Sequence, residues 1–150
     1  MMDFMASGLL AEWVHIVVIM FLASTIYAQM LLLRLPPSAE CMGQLLRATR
    51  FNVSAMLLTA TSGFARLYRS PRGMDWYLHS GYFHASLALF AVAALWTLLS
   101  MKRVSQWRDT FNAGGLPDAA QWARTGRTAN AQPLLLVIIV LLMTLMSHAS

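Results

Sequence analysis

The stretch at residues 81–100, GYFHASLALFAVAALWTLLS, limits the possible folds more than any other part of this sequence. It contains about twenty residues and no Asp, Glu, Lys or Arg. Because a helix rises about 1.5 Å per residue, a helix of this length can cross the hydrocarbon core of a bilayer. The stretch therefore predicts a transmembrane helix, and His84 is the one histidine within it.

The composition agrees with a membrane protein. Hydrophobic residues make up 58% of the 150 residues and charged residues only 11%, whereas soluble domains typically carry about 25% charged residues. We predict one all-α domain over residues 1–150, an integral membrane four-helix bundle. The four predicted spans are residues 9–33, 51–65, 81–100 and 133–147.

The segments between the spans are predicted from their turn residues, charges and aromatic side chains. Ser38, directly after two prolines, is the predicted N-cap of an amphipathic lead-in at residues 38–50. Residues 66–79 are predicted to form a loop. Within residues 101–132, three aromatic side chains predict a short amphipathic helix on the membrane surface: Trp107, Phe111 and Trp122.

The basic residues predict the orientation. Of the eleven Lys and Arg, eight lie between spans one and two or between spans three and four, and three lie between spans two and three. The positive-inside rule places both termini outside, which is the periplasm for a bacterial inner membrane. The N-terminus is expected to be retained, because Asp3 and Glu12 are atypical of a cleaved signal peptide. The basic residues form no continuous face, so the expected partners are membrane lipid and a protein partner or second copy, not nucleic acid.

Two histidines are predicted to lie at the same depth in the outer leaflet. His15 lies roughly 9 Å below the start of the first span, and His84 lies roughly 11 Å below the start of the third if that helix begins near Trp76 and Tyr77. An imidazole in hydrocarbon is costly unless it is paired or ligated, so the pair predicts ligands of a haem iron or of a copper site. The alternative is that each ring bonds a backbone carbonyl or a hydroxyl of a neighbouring helix. The single cysteine, Cys41, excludes a cysteine-based zinc or iron–sulfur site.

Other candidate groups are predicted at the same level. Arg66 and Arg69 suit the two propionates of a haem, or else anchor the helix at the interface. Glu12, one turn before His15, either orients the imidazole or remains solvated. Four small residues are predicted to allow close approach by a helix or a flat ligand: Thr59, Thr61, Ser62 and Gly63. Six of the eleven methionines fall towards the outer side, which suits Cu(I) or else provides apolar filler: Met1, Met2, Met5, Met74, Met143 and Met146.

Three segments resemble the HemJ-type proteins, which belong to a broader CopD-like group of small membrane proteins. The segments are WVHIVVIMFLASTIYAQMLLLRL with His15, GYFHASLALFAVAAL with His84, and RTANAQPLLLVIIVLLMTLM with Asn130. The resemblance covers most of the chain in order and hydropathy. The sequence departs from the family at two positions, with Ser86 in place of a lysine and Ala131 in place of a glutamate.

The resemblance implies a bacterial inner-membrane protein that binds haem b, with His15 and His84 as haem-associated positions and a redox or electron-transfer role. HemJ-type proteins are assigned to protoporphyrinogen oxidation. The changes at Ser86 and Ala131 are consistent with a relative that keeps the cofactor and has lost or changed this reaction. Two other classes stay open: a copper-handling CopD-like protein, and a cofactor-free accessory subunit of a larger membrane complex.

Overall fold

The computed structural model describes the backbone of residues 2–70 and 72–148 and the side chains of residues 9–70 and 72–146. Over these residues the regular structure is entirely helical, with no strand. The helices are α1 (Met2–Leu32), α2 (Ala39–Tyr68), α3 (Met74–Leu78), α4 (Gly81–Asn112), α5 (Ala119–Ala129) and α6 (Ala131–His148). The prediction of an all-α chain is therefore confirmed.

Three stretches of the described residues are long and apolar enough to cross a membrane: Leu9–Leu32, Gly81–Asn112 and Ala119–Met146. They contain most or all of the first, third and fourth predicted spans. Helix α2 is not among them, because the run between Arg50 and Arg66 is only about fifteen residues long and contains several polar side chains. A membrane crossing by α2 therefore stays a prediction.

Helix α2 is longer and more continuous than predicted. Ser38 is its N-cap, as predicted, and the Ser38 hydroxyl oxygen accepts a hydrogen bond from the Cys41 backbone N–H at 3.2 Å. The predicted lead-in and second span form one helix, because no proline interrupts the backbone hydrogen bonds along it. The loop predicted at residues 66–79 is correspondingly shorter, since α2 ends at Tyr68 and α3 occupies Met74–Leu78.

The four long helices pack in chain order, and each is antiparallel to the one before. Helix α1 packs along α2, α2 along α4, and α4 along α6. The start of α1 meets the end of α2 through Glu12 and Arg66, and the start of α4 meets the end of α6 through Ser86 and Met143. We call the end that contains these four residues the upper end. An apolar cluster occupies the middle of the molecule: Leu22, Ile26, Ala55, Met56 and Ala93.

A second apolar core lies at the lower end, where α4 continues to Asn112. Helix α4 has 32 residues, so it is about 48 Å long and exceeds the hydrocarbon thickness of about 30 Å. Trp107 and Trp122 are only 5% and 7% exposed, and their ring centroids lie 5.2 Å apart. The predicted amphipathic helix exists as α5. Both tryptophans are packed inside the protein, because residues of α2 and α4 and the end of α1 cover them. A position of α5 at the membrane surface stays a prediction.

The reactivity of the Cys41 thiol provides a test of this lower core. Cys41 is buried, and its thiol donates a weak hydrogen bond to the Leu32 carbonyl, with 3.4 Å between sulfur and oxygen. Burial raises the pKa of the thiol above its ordinary value, against a smaller opposing effect of the hydrogen bond with Ser38. Because the thiolate is the reactive form, we expect the folded protein in detergent to react with a maleimide roughly tenfold or more slowly than SDS-unfolded protein, and the rate to rise with pH. Equal rates in the two states would contradict the buried position.

Candidate ligand cavity

A cavity of about 370 Å³ opens at the upper end, with walls from α1, α2, α4 and α6. Most of the residues that line it are apolar. The polar side chains in the lining are Glu12, His15, Thr59, Arg66, Tyr77, Ser86 and Thr144. An apolar pocket of this size with a few polar groups is the usual form of a small-molecule site. The cavity is therefore the candidate functional site.

His15 presents one ring nitrogen to this cavity. The side chain is 7% exposed, and its Nδ1 lies 2.8 Å from the Ser62 hydroxyl oxygen. That hydroxyl also lies 3.2 Å from the Thr59 carbonyl oxygen, to which it can donate its single hydrogen. With that donation the hydroxyl accepts from His15, so that the ring proton lies on Nδ1 and the lone pair on Nε2. Neutral imidazole with a free Nε2 is the form that ligates metal ions.

Gly63 allows the His15 ring to lie against α2. A Cβ atom at position 63 would be 3.3 Å from His15 Cε1 and 3.9 Å from Nε2. The first distance is shorter than ordinary van der Waals contact, so a larger side chain would push the ring out of place. Two of the small residues predicted near the end of the second span therefore contact the imidazole of His15. Ser62 orients the ring by a hydrogen bond, and Gly63 leaves space for it.

Glu12 and Arg66 form an ion pair at the rim of the cavity. The distance between Arg66 Nη2 and Glu12 Oε1 is 2.9 Å, and the two side chains are 33% and 46% exposed. Glu12 therefore pairs with the guanidinium, and Ser62 takes the role of orienting His15. Arg69, the C-cap of α2, is exposed and is not among the cavity-lining residues.

The structure does not bring His84 into the cavity. Its side chain is exposed, and its Nδ1 lies 2.9 Å from the Ser80 carbonyl oxygen one turn earlier. The neighbours Phe83 and Ser86 line the cavity instead. Successive residues of a helix are about 100° apart around the axis, so positions 83 and 86 share a face that position 84 does not. Of the four predicted site residues, His15 and Arg66 line the cavity, whereas His84 and Arg69 lie outside it.

The cavity is also lined by the thioether of Met143, which is not part of the predicted histidine pair. Met143 lies on α6, and the Ser86 hydroxyl lies 3.3 Å from the Met143 sulfur. Within the described residues, no group of three or more His, Cys, Asp or Glu side chains is close enough to hold a metal ion. The side chains of Met1, Met2 and Met5, which also entered the sequence interpretation, lie outside the described residues.

The fold and its three long apolar stretches define an all-helical membrane protein with a mostly apolar cavity at one end. Residues 7–149 match the family model described as "Predicted membrane protein (DUF2214)", and the chain belongs to this family. No curated protein and no solved structure matches the chain.

Proposed function

We propose that this protein binds haem b in the upper cavity through His15 and serves a redox or electron-transfer role in a bacterial inner membrane. The observation that supports this proposal most directly is the position of His15 in the wall of the cavity. Ser62 holds the ring by Nδ1, and Nε2 is left for a ligand in an apolar pocket. When bound, haem supplies one-electron chemistry by cycling between Fe(III) and Fe(II). The resemblance to HemJ-type proteins favours the same cofactor.

The walls and rim of the cavity suit a flat apolar ring that carries acidic groups. A cavity of about 370 Å³ falls within the range of about 300–1,000 Å³ that is typical of small-molecule sites. Arg66 lies at the rim with its guanidinium paired to Glu12, so a ligand carboxylate can replace or share that partner. His15 and Arg66 are therefore the proposed haem-binding residues. His84 and Arg69 stay predictions without support from the cavity.

We further propose that α2 crosses the membrane with α1, α4 and α6 as a four-helix bundle with both termini outside. Helix α2 carries exposed apolar side chains on one face, at positions that repeat after two turns: Phe51, Leu57, Leu58 and Phe64. Such a face suits contact with lipid. Eight of the eleven basic residues lie in the segments at the lower end of the molecule. The positive-inside rule then places the lower end in the cytoplasm, so that the cavity at the upper end opens towards the periplasm.

Copper handling is a second candidate function, because Met143 and His15 line the same cavity. Thioether and imidazole form a soft ligand set that suits Cu(I). The Met143 sulfur lies 3.3 Å from the Ser86 hydroxyl, a contact that a bound metal ion would have to displace. This candidate needs no porphyrin and makes no use of Arg66.

The test is a reduced-minus-oxidised absorption spectrum, with metal analysis, of protein purified in detergent from haem-supplemented cells. The haem proposal predicts a Soret band and about one iron per chain. Stoichiometric copper without a Soret band would overturn the haem proposal in favour of the second candidate. Protein that is folded but contains neither iron nor copper would overturn both.

A further inference from the structure

Below the middle apolar cluster, the molecule contains a layer of four buried, uncharged polar side chains, one from each long helix. They are Gln29 of α1, Asn52 of α2, Thr97 of α4 and Gln132 of α6, and they are 0–4% exposed. The Asn52 side-chain amide donates to Gln29 Oε1 at 3.0 Å, and the Gln132 amide donates to the Thr97 hydroxyl at 3.4 Å. The layer therefore consists of one hydrogen-bonded pair on α1 and α2 and another on α4 and α6.

The register between α2 and α4 puts the two pairs at one level. Leu45 and Val104 share the lower core, and Met56 and Ala93 share the middle cluster. Asn52 lies between these two clusters along α2, and Thr97 lies between them along α4. The two hydrogen-bonded pairs therefore lie at a similar level of the contact between α2 and α4.

One atom of this layer has no hydrogen-bond partner among the described residues. It is Asn52 Oδ1, on a side chain that is fully buried. The oxygen and nitrogen of a side-chain amide can be assigned in either orientation. Exchanging them in both Asn52 and Gln29 keeps the hydrogen bond between the two side chains, but the Asn52 nitrogen then has no partner instead of the oxygen. Buried polar atoms in proteins are almost always hydrogen-bonded, to protein or to ordered water, so either assignment points to a small ligand at this position.

We propose that an internal water molecule occupies this layer and bridges Asn52 to the Thr97–Gln132 pair. The four side chains of the layer are uncharged, so none of them balances the charge of an ion, and this favours a neutral ligand. A small cavity of about 10 Å³ lies inside the middle apolar cluster, and Gln132 is the one residue of the polar layer that lines it. That volume is at the lower limit of about 10–15 Å³ for one water molecule. The water couples the α1–α2 pair to the α4–α6 pair, whether or not the upper cavity binds haem.

The first test is a double-mutant cycle between Asn52→Ala and Thr97→Val. The two side chains have no direct hydrogen bond, so a bridging water predicts that the double variant shifts the midpoint of SDS-induced unfolding by clearly less than the sum of the single shifts. The matched control pairs Asn52→Ala with Thr61→Val, because the Thr61 hydroxyl is exposed and bonds only its own helix. This control cycle should be additive. Additivity in both cycles would overturn the bridge.

A second measurement does not depend on the folding of a variant. The chain has three asparagines, of which Asn112 and Asn130 are exposed, so selective ¹⁵N-asparagine labelling gives three side-chain amide signals. We expect the buried amide of Asn52, assigned as the remaining signal, to show a persistent nuclear Overhauser effect to water protons in nanodiscs. A folded protein in which the Asn52 amide shows no such contact would overturn the proposal.

Discussion

Replacement of His15 by alanine is expected to abolish haem binding, so that the purified variant shows no Soret band above background. Within the part of the chain whose side chains are described, His15 supplies the imidazole that lines the cavity, and Ser62 bonds its Nδ1 rather than its Nε2. A non-covalently bound haem depends on such an axial ligand. The substitution leaves the Ser62 hydroxyl bonded to the Thr59 carbonyl, so the fold should survive. The measurement is the ratio of haem to protein, with size-exclusion chromatography to confirm that the variant is folded.

The matched control is His84→Ala. His84 is exposed, and its ring bonds the carbonyl of its own preceding turn, so this variant should keep a Soret band of wild-type height. Loss of the band in both variants would instead support the two-histidine ligation expected from their common depth. A full Soret band in His15→Ala would contradict the haem proposal and reduce the imidazole to a packing partner of Ser62.

Hydropathy predicted the long helices well because their signal is an uninterrupted apolar run. The predicted spans at residues 81–100 and 133–147 lie within α4 and α6, and residues 9–33 correspond to α1. The predicted ends of the helices were wrong where a helix continues beyond its apolar run. Residues 101–112 extend α4 because tertiary packing in the lower core stabilises them, and no local property of a polar segment reports such packing.

Two of the four predicted site residues, His15 and Arg66, line the cavity. Sequence spacing gives the depth of a residue in the membrane but not its direction around the helix axis. Depth placed His15 and His84 at one level, yet only His15 lines the cavity. The face of α4 that packs inward is revealed by its buried residues Phe83 and Ser86, three positions apart. A helical-periodicity analysis around Ser86 could have indicated that position 84 points elsewhere. The partners Ser62 and Arg66 are 47 and 54 residues from His15 and Glu12, so only the packing of α1 on α2 reveals them.

Trp122→Ala is expected to lower the free energy of unfolding by about 3–5 kcal/mol, the usual cost of removing a buried large aromatic side chain. Trp122 of α5 packs against Trp107 of α4, and its indole N–H donates to the Leu35 carbonyl at 3.2 Å. The substitution therefore leaves a cavity and an unpaired carbonyl at the point where α5 meets the rest of the molecule. The measurement is the shift in the SDS- or heat-induced unfolding midpoint of protein in detergent, followed by circular dichroism.

Trp13→Ala provides the control, because Trp13 is the same residue type but is 60% exposed on α1. Its loss removes contact with detergent or lipid and leaves the lower core intact, so the midpoint should move far less than in Trp122→Ala. If Trp122 instead faced the membrane surface, as the aromatic pattern of residues 101–132 alone predicts, it would be an interfacial anchor like Trp13. The two substitutions would then have similar effects, and that result would contradict the packed lower core.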